Sequence, residues 1–196
     1  MKIVFAGLSY LFGSIPSGYV LYLLSERKDI RRFGSGATGA TNVLRLKGWA
    51  FAVPVLLFDL FKGFLPVFLA VKLYPGGWFP LLCGFLAVLG HCFPVYIKFR
   101  GGKGVATSLG VFSVLAFQSF LVGLFLFLAV IALTRYVSLG SLVAALSLVP
   151  TAYFLHSSPR LTVLAAAVLT VIVIRHLGNI GRLLSGTERK FGQRRT

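Results

Sequence analysis

Uncharged apolar runs constrain the fold of this chain more than any motif does. From Gly104 to Thr134 there is not one charged residue, and comparable runs recur along the whole length. Roughly 17–25 apolar residues cross a hydrocarbon core as a helix, which satisfies its backbone hydrogen bonds internally. Composition agrees: 57% of the 196 residues are hydrophobic and the mean hydropathy is +0.89, above the apolar share of roughly 45–50% in soluble domains. The expected product is an all-α integral membrane protein, one polytopic domain over residues 1–196 with no separate soluble part.

Spans are expected near residues 3–24, 50–71, 78–97, 105–117, 119–134, 139–155 and 160–177, seven in all. Lys2 before an apolar stretch imitates a signal peptide. No small-residue cleavage site follows, however, and the run to Leu24 is long enough for a retained first span. The run from Val105 to Leu133 exceeds what one helix needs, so it is expected to divide near Gln118 and Ser119.

Basic residues then set the orientation, because short loops rich in Lys and Arg stay in the cytoplasm. With the N-terminus outside and the C-terminus cytoplasmic, sixteen of the 20 basics fall on the inner side, Lys2, Lys72 and Arg160 lie outside, and Lys62 sits within a span. The net charge of +16 is thus concentrated on one face, where it attracts anionic headgroups and anionic metabolites. A nucleic-acid partner is not expected, since these charges lie in membrane loops without a binding module.

That face also carries the unusual loop sequences. Phe99 to Thr107 reads FRGGKGVAT. Its glycines Gly101, Gly102 and Gly104 allow close approach of backbone N–H groups to an anion, and Arg100 and Lys103 add charge that a phosphate would offset. The Walker pattern is absent, because Ile97 and Gly104 stand where a glycine and a Ser or Thr are needed. Phe33 to Arg45 reads FGSGATGATNVLR, in which Ser35, Thr41, Asn42 and Arg45 offer hydroxyls, an amide and a bidentate phosphate fork. Thr134 to Ser141 adds Ser141, and the run from Arg175 places His176 and Asn179 three apart, on one helix face. His91 is expected to hydrogen-bond a neighbouring helix. Asp59 and Lys62, also three apart, are expected to form a structural ion pair, with an ion path as the rival reading. Glu188, beside Arg189, reads as a solvated salt-bridged residue that holds the tail.

Several chemistries lack their residues. Cys83 and Cys92 lie on one expected helix, nine positions apart, so they cannot pair and serve as apolar filler. There is no G-x-S-x-G elbow, no zinc signature and no histidine with an aspartate five residues on. Only four acids occur in the chain, which gives no carboxylate dyad and no magnesium site. Neither a metal nor a cofactor is expected.

Together GSGATGATN, GHCFPVYIKFRGGKGVAT and HLGNIGRLLSGTERK, with GSIPSGY and DLFKGFLPV, resemble the acylphosphate-dependent glycerol-3-phosphate acyltransferases of bacteria, the PlsY family. The resemblance spans nearly the whole chain. It implies a multi-pass enzyme of the bacterial inner membrane with a cytoplasmic active site. The implied reaction moves a fatty acyl group from acyl phosphate to the 1-hydroxyl of glycerol 3-phosphate, giving lysophosphatidic acid and phosphate. By resemblance, Lys103, His176 and Asn179 are catalytic. Ser35, Thr41, Asn42, Arg45, Gly101, Gly102, Gly104 and Ser141 bind the substrates, and no obligate protein partner is implied beyond membrane lipids. The alternative is a transporter for phosphorylated metabolites. Glycine loops confined to one side argue against it, since alternating access needs both faces.

Overall fold

In the computed structural model, which describes residues 1–192, all regular structure is helical. Two compact units form, Met1–Val111 and the chain from Phe112 onward. Arg194 and Arg195, counted above among the inner basics, lie outside the described residues.

The first unit opens with α1 (Lys2–Gly13) and α2 (Ser17–Glu26). These were expected as one span, but they meet at a 40° bend. Pro16 has no N–H to continue the ladder, so the helix breaks there. The Ile15 carbonyl at the break accepts from Lys62 Nζ at 2.8 Å and from the Ser17 N–H at 3.1 Å. A 3-10 turn over Ile30–Arg32 follows, capped by Asp29, whose carboxylate accepts from the Arg31 N–H at 2.9 Å. Then come α3 (Ala40–Lys47), α4 (Trp49–Leu73) and α5 (Phe79–Cys92). A second 3-10 turn, Val95–Ile97, leads through the glycine loop into α6 (Val105–Leu115). Within this unit α5 packs on α1 and α4. The α1–α5 approach is close because both faces carry glycine: a Cβ on Gly13 would lie 2.3 Å from the Ala87 carbonyl oxygen, and one on Gly90 2.3 Å from that of Tyr10. Small residues of this kind let membrane helices pack backbone to backbone.

In the second unit α7 (Phe117–Thr134) packs on α8 (Val137–His156), and α8 on α9 (Pro159–Leu184). The connections are tight, with Arg135 and Ser157 in left-handed conformations at the helix ends. Ser158 caps α9 by accepting from the Leu161 N–H at 3.3 Å, and Pro159 stands at the first helical position, where its missing N–H costs nothing.

The expected division of the long apolar run is present, with the break at Ala116 between α6 and α7. Among the described residues, five helices are long and apolar enough to span, with α5 counted together with its 3-10 extension as Phe79–Ile97, or six when the bent α1–α2 pair is one broken span. The remaining expected span is α6, an apolar helix of 11 residues.

Candidate functional site

The first loop is shaped from below by a buried cluster of Tyr22, Ile30, Val43, Ala52 and Val55, contributed by α2, the 3-10 turn, α3 and α4. Lys47 pairs with Glu26 and ties the end of α3 to the end of α2. Asn42 was expected to read a ligand, and the geometry corrects this. It is 1% exposed. Its Oδ1 accepts from the Ser35 N–H at 2.8 Å, while its Nδ2 donates to the carbonyls of Phe33 at 3.1 Å and Ala37 at 2.9 Å. Asn42 therefore holds the loop in shape, because a short amide can close three backbone groups at once. Ser35 and Arg45 are exposed and Thr41 is half-buried, so these three keep surface to present.

The glycine loop is built against the end of α5. The Gly102 N–H donates to the His91 carbonyl at 3.0 Å and the Gly101 N–H to the Cys92 carbonyl at 3.3 Å. These two N–H groups were expected to close on an anion, yet they are spent on the protein itself. Their glycines are required for close approach: a Cβ on Gly101 would sit 2.2 Å from the His91 carbonyl oxygen, and one on Gly102 2.0 Å from His91 Nε2. Gly104, at φ +86°, is the member that needs the left-handed region. It also starts α6, for its carbonyl accepts from the Ser108 N–H and the Ser108 hydroxyl, both at 2.8 Å. Lys103, half-buried, thus stands just before a helix N-terminus, where N–H groups without intrahelical partners favour an anion.

Just upstream, Lys98 and Phe99 are consecutive non-glycine residues at φ 57° and 59°, conformations that cost of order 1–3 kcal/mol each. They turn the backbone so that Arg100 lines a cavity of about 520 Å³ with Asp29, Arg31, Arg32 and Lys98. Arg31 crosses to this segment, donating from Nη1 to the Ile97 carbonyl at 2.8 Å. Its guanidinium beside Asp29 holds that carboxyl below the usual range.

In the second unit His176 is 1% exposed and its Nδ1 lies 2.8 Å from the Ile172 carbonyl. A carbonyl only accepts, so Nδ1 carries a proton. Asn179 shares this helix face and donates from Nδ2 to Glu188 Oε1 at 2.7 Å. Ser138 Oγ donates to the same oxygen at 2.9 Å, and Arg182 Nε reaches Oε2 at 2.7 Å. Glu188 was expected as a solvated tail residue; it holds the tail as expected, but it is buried at 7% exposure. Burial pushes its carboxyl up, yet the hydrogen bonds from Asn179, Arg182 and Ser138 and the Arg182 charge outweigh this, leaving it below the usual carboxylate range. Ser138 and Arg182 were not anticipated from the sequence. Ser141, at 5% exposure, donates its hydroxyl to the Val137 carbonyl at 2.8 Å and keeps only acceptor capacity. Among the described residues, no three His, Cys, Asp or Glu side chains gather as a metal-holding group.

A family model described as glycerol-3-phosphate acyltransferase matches residues 3–186. A glycerol-3-phosphate acyltransferase of Endomicrobium trichonymphae is 41% identical, the match covering 97% of this chain and 96% of the relative. One of Syntrophotalea carbinolica is 43% identical over 93% and 94%. Among solved structures, PlsY, an integral membrane glycerol 3-phosphate acyltransferase, matches in its glycerol 3-phosphate form. Its TM-score is 0.94 at 38% identity, covering 97% of this chain and 96% of that one. Its lysophosphatidic acid form gives 0.90 at 36% identity, over 97% and 95%. Likeness of this extent and identity goes beyond a shared helical architecture, and the chain belongs to the glycerol-3-phosphate acyltransferase family.

Proposed function

We propose that this protein transfers a fatty acyl group from acyl phosphate to the 1-hydroxyl of sn-glycerol 3-phosphate, giving lysophosphatidic acid and phosphate. Residues 1–196 serve as one acyltransferase domain in a bacterial inner membrane, with the N-terminus outside and the reaction on the cytoplasmic side. The observation that carries the reading is the near-full-length likeness to PlsY in forms named for glycerol 3-phosphate and for lysophosphatidic acid.

Acyl phosphate is a mixed anhydride, already activated, so the protein has chiefly to position two phosphorylated reactants. Orientation of two bound reactants supplies up to roughly 7–11 kcal/mol of the barrier, and one oxyanion donor roughly 3–4 more. Arg45 and Lys103 neutralise phosphate charge, with Ser35, Thr41 and the N-terminus of α6 adding donors. Gly101, Gly102 and Gly104 give the loop its shape. Ser141, His176 and Asn179 hold glycerol 3-phosphate, His176 through its ring and Asn179 through its amide, one of whose two N–H donors is given to Glu188.

The glycerol hydroxyl attacks the acyl carbon, the bond from that carbon to the bridging oxygen breaks, and phosphate departs with the electron pair. Phosphate esters have a second pKa of about 6, and the departing phosphate, likewise basic near neutrality, accepts the hydroxyl proton as it leaves. His176 then orients the hydroxyl and no acyl-enzyme forms. Competition between donors tests the donor assignment. With palmitoyl phosphate, palmitoyl-CoA and palmitoyl acyl carrier protein offered separately, only palmitoyl phosphate should yield lysophosphatidic acid; a comparable rate with either thioester would overturn it.

A further inference from the structure

Unlike the substrate-facing loops, the polar cluster beneath the glycine loop has no part in the reaction just described. Asp59, Lys62 and His91 are 2%, 1% and 6% exposed. Asp59 Oδ1 is the hub: it accepts from Ser17 Oγ at 2.7 Å, pairs with Lys62 Nζ at 2.8 Å and faces His91 Nδ1 at 3.5 Å. Lys62 spends a second proton on the Ile15 carbonyl at the α1–α2 break, which also accepts from the Ser17 N–H. The far edge of the His91 ring meets the loop. A Cβ on Gly102 would approach Nε2 at 2.0 Å, Cε1 at 2.7 Å and Cδ2 at 2.9 Å, where ordinary contact starts at 3.4 Å. The His91 carbonyl holds the Gly102 N–H as well. One residue thus grips Gly102 by backbone and ring, and the ring is backed by a carboxylate that is itself fixed from α2 and α4.

We propose that His91 is a positioning residue that props the glycine loop, and that Asp59 keeps its ring in place; the inference rests on reading the loop as a phosphate site. An anion drawn toward Lys103 pulls on a loop of three glycines, which has little stiffness of its own. The ring resists that pull from behind, so the geometry that the anion meets is set before it binds. A misplacement of about 1 Å remote from the chemistry costs on the order of 100-fold in rate, and the methyl of Gly102→Ala is 1.4 Å short of the room it needs.

The test is a double-mutant cycle on purified enzyme: His91→Ala, Gly102→Ala and both together, with kcat, KM for each substrate and the melting temperature measured for all. Each single change should lower kcat/KM for acyl phosphate by about 10–100-fold. The pair should be no worse than His91→Ala alone, because the methyl then fills space the ring vacated. A residue that only stabilised the fold would lower melting temperature and active fraction in both and give additive losses. Additive losses, or wild-type kcat/KM in His91→Ala, overturn the proposal. If His91→Ala does not fold, His91→Gln replaces it in the same cycle with the same expected and overturning results. Lys103→Met, which leaves His91 in place, tests the loop reading separately: wild-type KM for both phosphorylated substrates would remove the anion from the loop. Unchanged kinetics confined to His91→Ala would remove only the prop.

Discussion

Breaking the Asp59–Lys62 pair should destabilise the first unit more than any exposed ion pair could. Asp59→Asn leaves the Lys62 ammonium buried at 1% exposure, with its Coulombic partner gone and the Ile15 carbonyl at 2.8 Å. Removing one member of a buried pair costs about 3–5 kcal/mol, because the other charge stays uncompensated. Lys62→Met should cost a similar amount: it leaves the buried Asp59 carboxylate with only Ser17 and the His91 ring, while the Ile15 carbonyl keeps the Ser17 N–H. The double variant Asp59→Asn/Lys62→Met buries no net charge and should lose only about 1 kcal/mol, the net worth of one hydrogen bond. The two single losses together therefore exceed the double by about 3 kcal/mol or more. Reversible unfolding of the detergent-solubilised protein, followed by tryptophan fluorescence and helical circular dichroism, measures the cycle. Additive losses, or singles below about 1 kcal/mol, the range of exposed pairs, would refute the claim that the two charges depend on each other.

Packing and titration give further expectations. Gly63→Ala should destabilise by at least about 1–3 kcal/mol, since its Cβ would lie 2.0 Å from the Thr107 carbonyl oxygen, which is backbone and cannot swing away; a shift in thermal unfolding reports it. Glu188 titrates below the usual carboxylate range when folded. Its stabilisation should therefore be fully present above the unfolded pKa of about 4.3 and be lost as pH falls through the folded value. Melting temperatures between pH 7 and pH 3 should show this decline, and Glu188→Gln should reduce it, the remainder coming from carboxylates such as Asp29. His176→Gln should keep most of kcat while raising KM for glycerol 3-phosphate; collapse of kcat with binding intact would make His176 the base.

Much of the framework was legible because membrane helices declare themselves through length and lack of charge. The spans near 50–71, 139–155 and 160–177 coincide with α4, α8 and α9, and the i,i+3 spacing of Asp59 and Lys62 was sufficient to pair them. The bend within the first span was not legible because its apolar run is continuous, whereas the break depends on Pro16 and on a lysine 47 positions away that bonds the Ile15 carbonyl. In the run from Val105, the apolar pattern showed that the run divides but not that its first helix has only 11 residues. In the candidate site, residue type was legible but bonding was not. Asn42 looked like a ligand group because amides bind ligands, yet its partners are three groups of its own loop. Glu188 stands among basic residues in sequence, and its burial depends on Ser138, 50 positions away. Gly101 and Gly102 suggested N–H donors, while their shape requirement is set by His91 on another element.

The most direct test of the central claim follows both products of one reaction. Purified protein in detergent is given palmitoyl phosphate, with and without glycerol 3-phosphate, and lysophosphatidic acid and inorganic phosphate are counted together. The account predicts that the two products appear in equal amounts and only when glycerol 3-phosphate is present. Phosphate released without it, or folded protein that forms no lysophosphatidic acid, would contradict the assignment.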